Sequence, residues 1–130
     1  MEIALEYLTD GLPGQRRARL SNPDWEQIKS QISNLDGLRK TELNLINESS
    51  GEELTVGGGR NRYIVSWLQS DGGNGTLVNP DYQNSEDMVE LIVGGQSGTF
   101  PRKVISSLDQ ALAVAKLFVE SKTLDSFLWD

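Results

Sequence analysis

The chain has 130 residues, no cysteine, no histidine and a formal net charge of −7, enough length for one domain that buries roughly two-thirds of its unfolded surface without disulfide or metal. The missing residue types remove the thiolate nucleophile, the disulfide framework, the commonest general base and the commonest metal ligand. The net negative charge disfavours nucleic acid and anionic membrane as partners.

Glu2 to Leu8 alternates in twos and predicts a first strand, closed by the turn residues Asp10-Gly11-Leu12-Pro13-Gly14. The same N-terminal stretch has neither the basic region nor the apolar core of a secretory signal, and no run approaches ~18 apolar residues, so a soluble cytoplasmic protein is expected. Asn22-Pro23 predicts a helix start, with Asn22 as cap and Pro23 at the first helical position. Trp25, Ile28, Ile32 and Leu35 then share one face, and Asp36-Gly37 ends the helix.

Strands are predicted at Thr41–Ile46, Glu53–Val56, Arg62–Gln69, Thr76–Val78 and Met88–Val93, with a hairpin turn over Asp71–Gly75. Connections this short force antiparallel pairing. Ser107 and Gln110 form a capping box for a second helix, on which Leu108, Ala111, Leu112, Ala115, Phe118 and Val119 make the apolar face. Apolar residues return in Leu124 to Trp129, which predicts a docked tail. The expected fold is α+β: a single domain over residues 1–130, an antiparallel sheet of five to six strands with two helices on one face.

Charge is segregated along the chain. Between Arg62 and Arg102 there is no lysine or arginine, yet the stretch holds Asp71, Asp81, Glu86, Asp87 and Glu90. An acidic surface steers a cationic partner toward it, so a basic protein is the expected partner. Tyr82, Met88 and Trp67 are of the types enriched at interface centres, although Trp67 sits on a strand and faces core or partner according to a register the sequence leaves open. The candidate contact set is Trp67, Asp71, Asp81, Tyr82, Glu86, Asp87 and Glu90.

Other patterns carry less. Gly57-Gly58-Gly59 and Gly94-Gly95-Gln96-Ser97-Gly98 lack the spacing of a phosphate cradle and precede no helix, so turns between strands are expected. Arg16, Arg17 and Arg19 read as a solvated basic patch in a loop. Asp81, Glu86 and Asp87 do not follow the calcium-loop order, and no metal or cofactor is expected.

Gly94-Gly95-Gln96, Pro101, Val104, Ser106-Ser107-Leu108, Ala111, Ala115, Phe118 and Trp129 together resemble the signature of immunity protein family 1, from bacterial polymorphic-toxin and contact-dependent inhibition systems. The resemblance covers about the last forty residues, and Ser121-Lys122-Thr123 departs from it where a glycine turn would end the helix. It implies a small, non-catalytic cytoplasmic protein that binds and neutralises the C-terminal domain of a cognate toxin, commonly a nuclease or nucleic-acid deaminase. It carries no toxin-contact residues onto this chain. A protein-binding adaptor of the same fold and a small-molecule enzyme built on paired carboxylates are the alternatives, and monomer or dimer is left open.

Overall fold

A computed structural model describes residues 3–8 and 17–130 of the chain. Glu2, Arg16 and the turn expected over Asp10–Gly14 lie outside the described residues. The elements run β1 (Ile3–Leu8), β2 (Arg17–Ser21), α1 (Trp25–Ser33), β3 (Glu42–Asn47), β4 (Glu53–Gly59), β5 (Arg62–Leu68), β6 (Asn74–Thr76), β7 (Met88–Val93), β8 (Gln96–Pro101) and α2 (Leu108–Val119). Single 3-10 turns at Pro80–Tyr82 and Arg102–Val104 flank the β7–β8 hairpin.

The main sheet has six strands in the order β2-β1-β3-β4-β5-β6, all antiparallel. Register aligns Leu20, Leu5, Leu45, Leu54 and Trp67 across five neighbouring strands. Because side chains alternate across a strand, this row and its neighbours Leu43, Val56 and Val65 project to one face, where Ile28 and Ile32 of α1 and Ala111, Val114, Ala115 and Phe118 of α2 close the core. The opposite face carries a polar row of Arg19, Glu6, Asn44, Thr55, Ser66 and Thr76. The α+β fold with both helices on one side of an antiparallel sheet is therefore as the sequence predicts.

Several elements differ from the sequence reading. β2 is a strand where a loop was expected, and its arginines are tied down: Arg19 bridges Glu6 at 2.7 Å and Glu48 at 3.1 Å. The α1 cap is Asp24, whose Oδ1 accepts from Gln27 N while Gln27 Oε1 accepts from Asp24 N. Asn22 instead adopts φ 51° and donates its N–H to Ile3 O, turning the chain out of β2 before Pro23. Short polar side chains suit both jobs, and the Asp24–Gln27 spacing was the signal that separates them.

β4 runs three residues further than expected, through Gly57, Gly58 and Gly59. A Cβ on Gly59 would lie 2.4 Å from Gly37 N and 2.6 Å from the Leu35 carbonyl, so the strand end packs directly against the chain leaving α1. The short sixth strand starts two residues before Thr76, and Asp71 closes the β5–β6 turn by accepting from Gly73 N. β7 leaves the main sheet altogether and pairs across the Gly94-Gly95 turn with β8, a strand to which the sequence reading gave no bounds.

The α2 helix ends as a helix ending in glycine would, with serine in its place. Ser121 takes φ 59°, its N–H reaches Phe118 O, and Lys122 N reaches Leu117 O. Beyond it the tail docks. Asp130 and Thr76 exchange both backbone hydrogen bonds, Val78 N donates to Leu128 O, and Trp129 Nε1 donates to Leu124 O at 2.9 Å.

Between α1 and β3 the chain is folded around one carboxylate. Asp36 Oδ1 accepts from the N–H groups of Leu38, Arg39 and Lys40 at 2.8–3.0 Å. Burial acts to raise its pKa, but these three donors and the Arg60 charge outweigh it and hold the group below its ordinary 3.8. A carboxylate with a depressed pKa stabilises the fold above its unfolded-state pKa, and that contribution is lost as pH falls through the folded value. Asp36→Asn should therefore lower stability at pH 7 by a margin that narrows below pH 3.8, checked by urea melts of both proteins at pH 7 and pH 3. An equal margin at both pH values would mean that its charge plays no part.

Candidate protein-binding surface

The acidic segment after β6 is held rigidly at both ends. Asn79, 4% exposed, donates from Nδ2 to Ile105 O and from its backbone N to Lys103 O, while its Oδ1 accepts from Asp81 N and Gln110 Nε2. One buried amide thus joins the 79–82 turn to the second 3-10 turn and to the start of α2. At the other end Arg102 donates its backbone N–H to Asp87 O and one Nη1 hydrogen to Ile105 O, with its guanidinium 3.5 Å above the Tyr82 ring.

Between these anchors Asp81, Glu86, Asp87 and, on β7, Glu90 all face solvent. Tyr82 and Met88 are 40% and 56% exposed among them. Among the described residues no three acidic side chains converge as metal ligands would. Asp87 and Glu90 instead border a shallow cleft of about 650 Å³, lined also by Arg62, Met88, Val89 and Arg102.

The fold divides the sequence-predicted set. Asp87 and Glu90 share one cleft with Arg102, whose guanidinium lies over Tyr82, and exposed Asp81 and Glu86 adjoin Tyr82 and Asp87 in sequence. Asp71 is apart from them: it lies beyond Leu68 at one end of β5, whereas Glu90 lies beside Arg62 at the other, roughly 20 Å away by strand rise. Trp67 is inside, 9% exposed, with its ring 5.3 Å from that of Trp129 and its Nε1 donating to Glu52. Nor is the cation-free stretch cation-free in three dimensions, since the two arginines that bound it in sequence, Arg62 and Arg102, border the same cleft. Sequence reasoning missed them because it counted charge along the chain, while the return of β7 and the second 3-10 turn brings the two ends of the stretch together.

The sequence model of the family described as immunity protein Imm1 matches residues 17–128. The chain belongs to the Imm1 immunity protein family. Among solved structures, the crystal structure of a hypothetical protein from Neisseria gonorrhoeae is similar with a TM-score of 0.62 and 17% identity, over 94% of this chain and 90% of that one, which supports the fold. No curated protein matches the sequence.

The residues that carry the Imm1 resemblance have structural explanations here. Gly94 and Gly95 form the two-residue β7–β8 turn with φ 61° and 80°. Gly95 N donates to the hydroxyl of fully buried Thr41, and a Cβ on Gly94 would meet the Glu42 carboxylate at 2.5 Å. The signature glycines therefore seat the hairpin on β3. Ser106 pairs with Tyr63 through both backbone hydrogen bonds and Ser107 caps α2, so this serine pair fixes the helix to the sheet edge. No described helix of this Imm1 protein is long and apolar enough to cross a membrane.

Proposed function

We propose that this Imm1 protein binds the C-terminal domain of a cognate toxin in the cytoplasm and neutralises it by stoichiometric occlusion, without catalysis. The contact face would be the segment Asp81, Tyr82, Glu86, Asp87, Met88 and Glu90. One observation carries the choice: Tyr82 and Met88, both exposed large apolar side chains, stand among four exposed carboxylates on a segment anchored by Asn79 and Arg102. Apolar anchors surrounded by charge are what an interface centre and rim require, and a fixed backbone reduces the ordering cost of binding.

The charge pattern supports a basic toxin, such as a nuclease or nucleic-acid deaminase that presents cations to its own substrate. An interface of standard size would bury roughly 800 Å² on this protein, with Tyr82 and Met88 supplying affinity and the carboxylates supplying on-rate and choice of partner. Reversing Asp81, Glu86 and Asp87 to Lys should slow association with the cognate toxin domain by about tenfold or more at low salt and flatten its salt dependence. Folding should survive, because such surface changes cost about half a kcal/mol or less each. Asp71→Lys, at the far end of β5, is the control. Stopped-flow rates unchanged by the triple reversal but reduced by Asp71→Lys would place the contact elsewhere.

A further inference from the structure

We propose that Arg60 and Arg62 form a second, oppositely charged subsite that receives a side-chain carboxylate of the toxin, an inference that rests on the toxin reading above. A cleft of about 530 Å³ lies between the end of the main sheet and the β7–β8 hairpin, bordered by Asp36, Leu38, Arg60, Arg62, Glu90 and Ile92. Both arginines are exposed, and among the described residues neither has a carboxylate within ion-pair distance. Arg17, Arg19, Lys103 and Lys122 all do. Asp36 borders the same cleft, but its Oδ1 is already taken by three backbone N–H groups. Neither guanidinium is thus held in an ion pair, although the Arg60 charge still acts on Asp36 through space, in a protein of net charge −7.

The backbone at Arg60 adds an independent observation. Gly59 pairs with Arg62, so Arg60 and Asn61 form a two-residue hairpin loop, with φ 55° and 64°. A turn with both central residues left-handed favours Asn, Asp or Gly at its first position, and arginine there is an outlier. Asn61 has a local role, accepting from Leu108 N at the start of α2. Among the described residues no side-chain hydrogen bond or ion pair of Arg60 explains it, and a strained exposed residue of this kind is a reason to look for a ligand.

The geometry suits a carboxylate rather than a bare charge. A guanidinium fork binds a carboxylate in two parallel hydrogen bonds, and Leu38, 59% exposed in the same cleft, offers apolar contact beside it. Glu90 and Arg62 border both this cleft and the acidic one, so the arginine pair and the exposed carboxylates adjoin. Adjacent subsites of opposite sign fix the register of the toxin and exclude partners that are merely basic.

The test uses the full chain and the purified C-terminal domain of the cognate toxin, with Arg60→Asn and Arg62→Gln measured separately. Each should weaken binding about tenfold or more, chiefly through faster dissociation, whereas reversal of Asp81, Glu86 and Asp87 acts chiefly on association. Arg60→Asn should also melt at the same or a higher temperature than the unmodified protein, because asparagine is favoured at that turn position. Arg60→Lys should not restore affinity, since an ammonium lacks the fork. Affinity within twofold of the unmodified protein for both Arg60→Asn and Arg62→Gln would overturn the subsite while leaving the toxin reading intact. Failure of the unmodified protein to bind would overturn both.

Discussion

Phe118→Ala should lower the stability of the fold by about 3–5 kcal/mol. Phe118 is 4% exposed and lies in the cluster where both helices meet the sheet, together with Ile28, Ile32, Leu43 and Val114. Truncation removes its transfer energy and leaves a cavity that close-packed neighbours fill only in part. Lys116→Ala on the same helix is the comparison. Lys116 is exposed, but its Nζ stands 5.0 Å from the centre of the Trp25 ring on α1, so it is not wholly silent and should cost about 0.5–1 kcal/mol. Urea melts of the two variants measure both numbers, and equal losses would mean that the buried face of α2 has been drawn wrongly.

That face was legible because the helical period repeats for three turns; the reading lacked Val114, fully buried between Ala111 and Phe118, and half-buried Leu117. Strands β3 and β5 were equally legible as apolar runs between turn residues. The second hairpin was harder to see, since Gln96-Ser97-Gly98-Thr99 offers no apolar alternation and pairs by backbone alone in the sequence's view. What places it is long-range: Gly95 on Thr41, and Val93 against Gly57, where a Cβ would lie 2.5 Å from the valine methyl. Short-range pattern carries no trace of a packing partner ~50 residues away. Strand β2 was missed for a related reason. Its arginines suggested a loop, yet on an exposed edge strand, alternating charges are the expected composition.

The acidic segment was legible as composition and only partly as a surface. Asp81, Glu86, Asp87 and Glu90 follow one another closely in the chain, and Asp87 and Glu90 share one cleft. Asp71 separates from them because β6, the Leu77–Asn79 passage and the 3-10 turn lie between. Trp67 turned inward because its register places it in line with Leu54 and Leu45. Arg60 was not singled out at all, although its place between two strands directly after a run of glycine was the signal for a two-residue turn.

Removing Phe127 to Asp130 should destabilise the protein by more than about 3 kcal/mol, because the half-buried Trp129 and Phe127 are lost together with backbone pairing. The tail supplies Trp129, which packs on Trp67, and backbone partners for both Thr76 and Val78, each worth roughly 1 kcal/mol. It also supplies the Asp130 carboxylate, which pairs with half-buried Lys103 at 3.5 Å and adds little because the carboxylate is exposed to water. Deletion would uncover Trp67 and leave the β6 edge unpaired, so the truncated chain should show red-shifted tryptophan emission and an increased tendency to aggregate. The shorter deletion of Asp130 alone keeps the indole and should lose only the Thr76 pairing and the Lys103 contact. A four-residue truncation that melts within a degree or two of the full chain while losing toxin binding would show that Trp129 serves the partner rather than the fold, and would move the contact face to the opposite edge of β5.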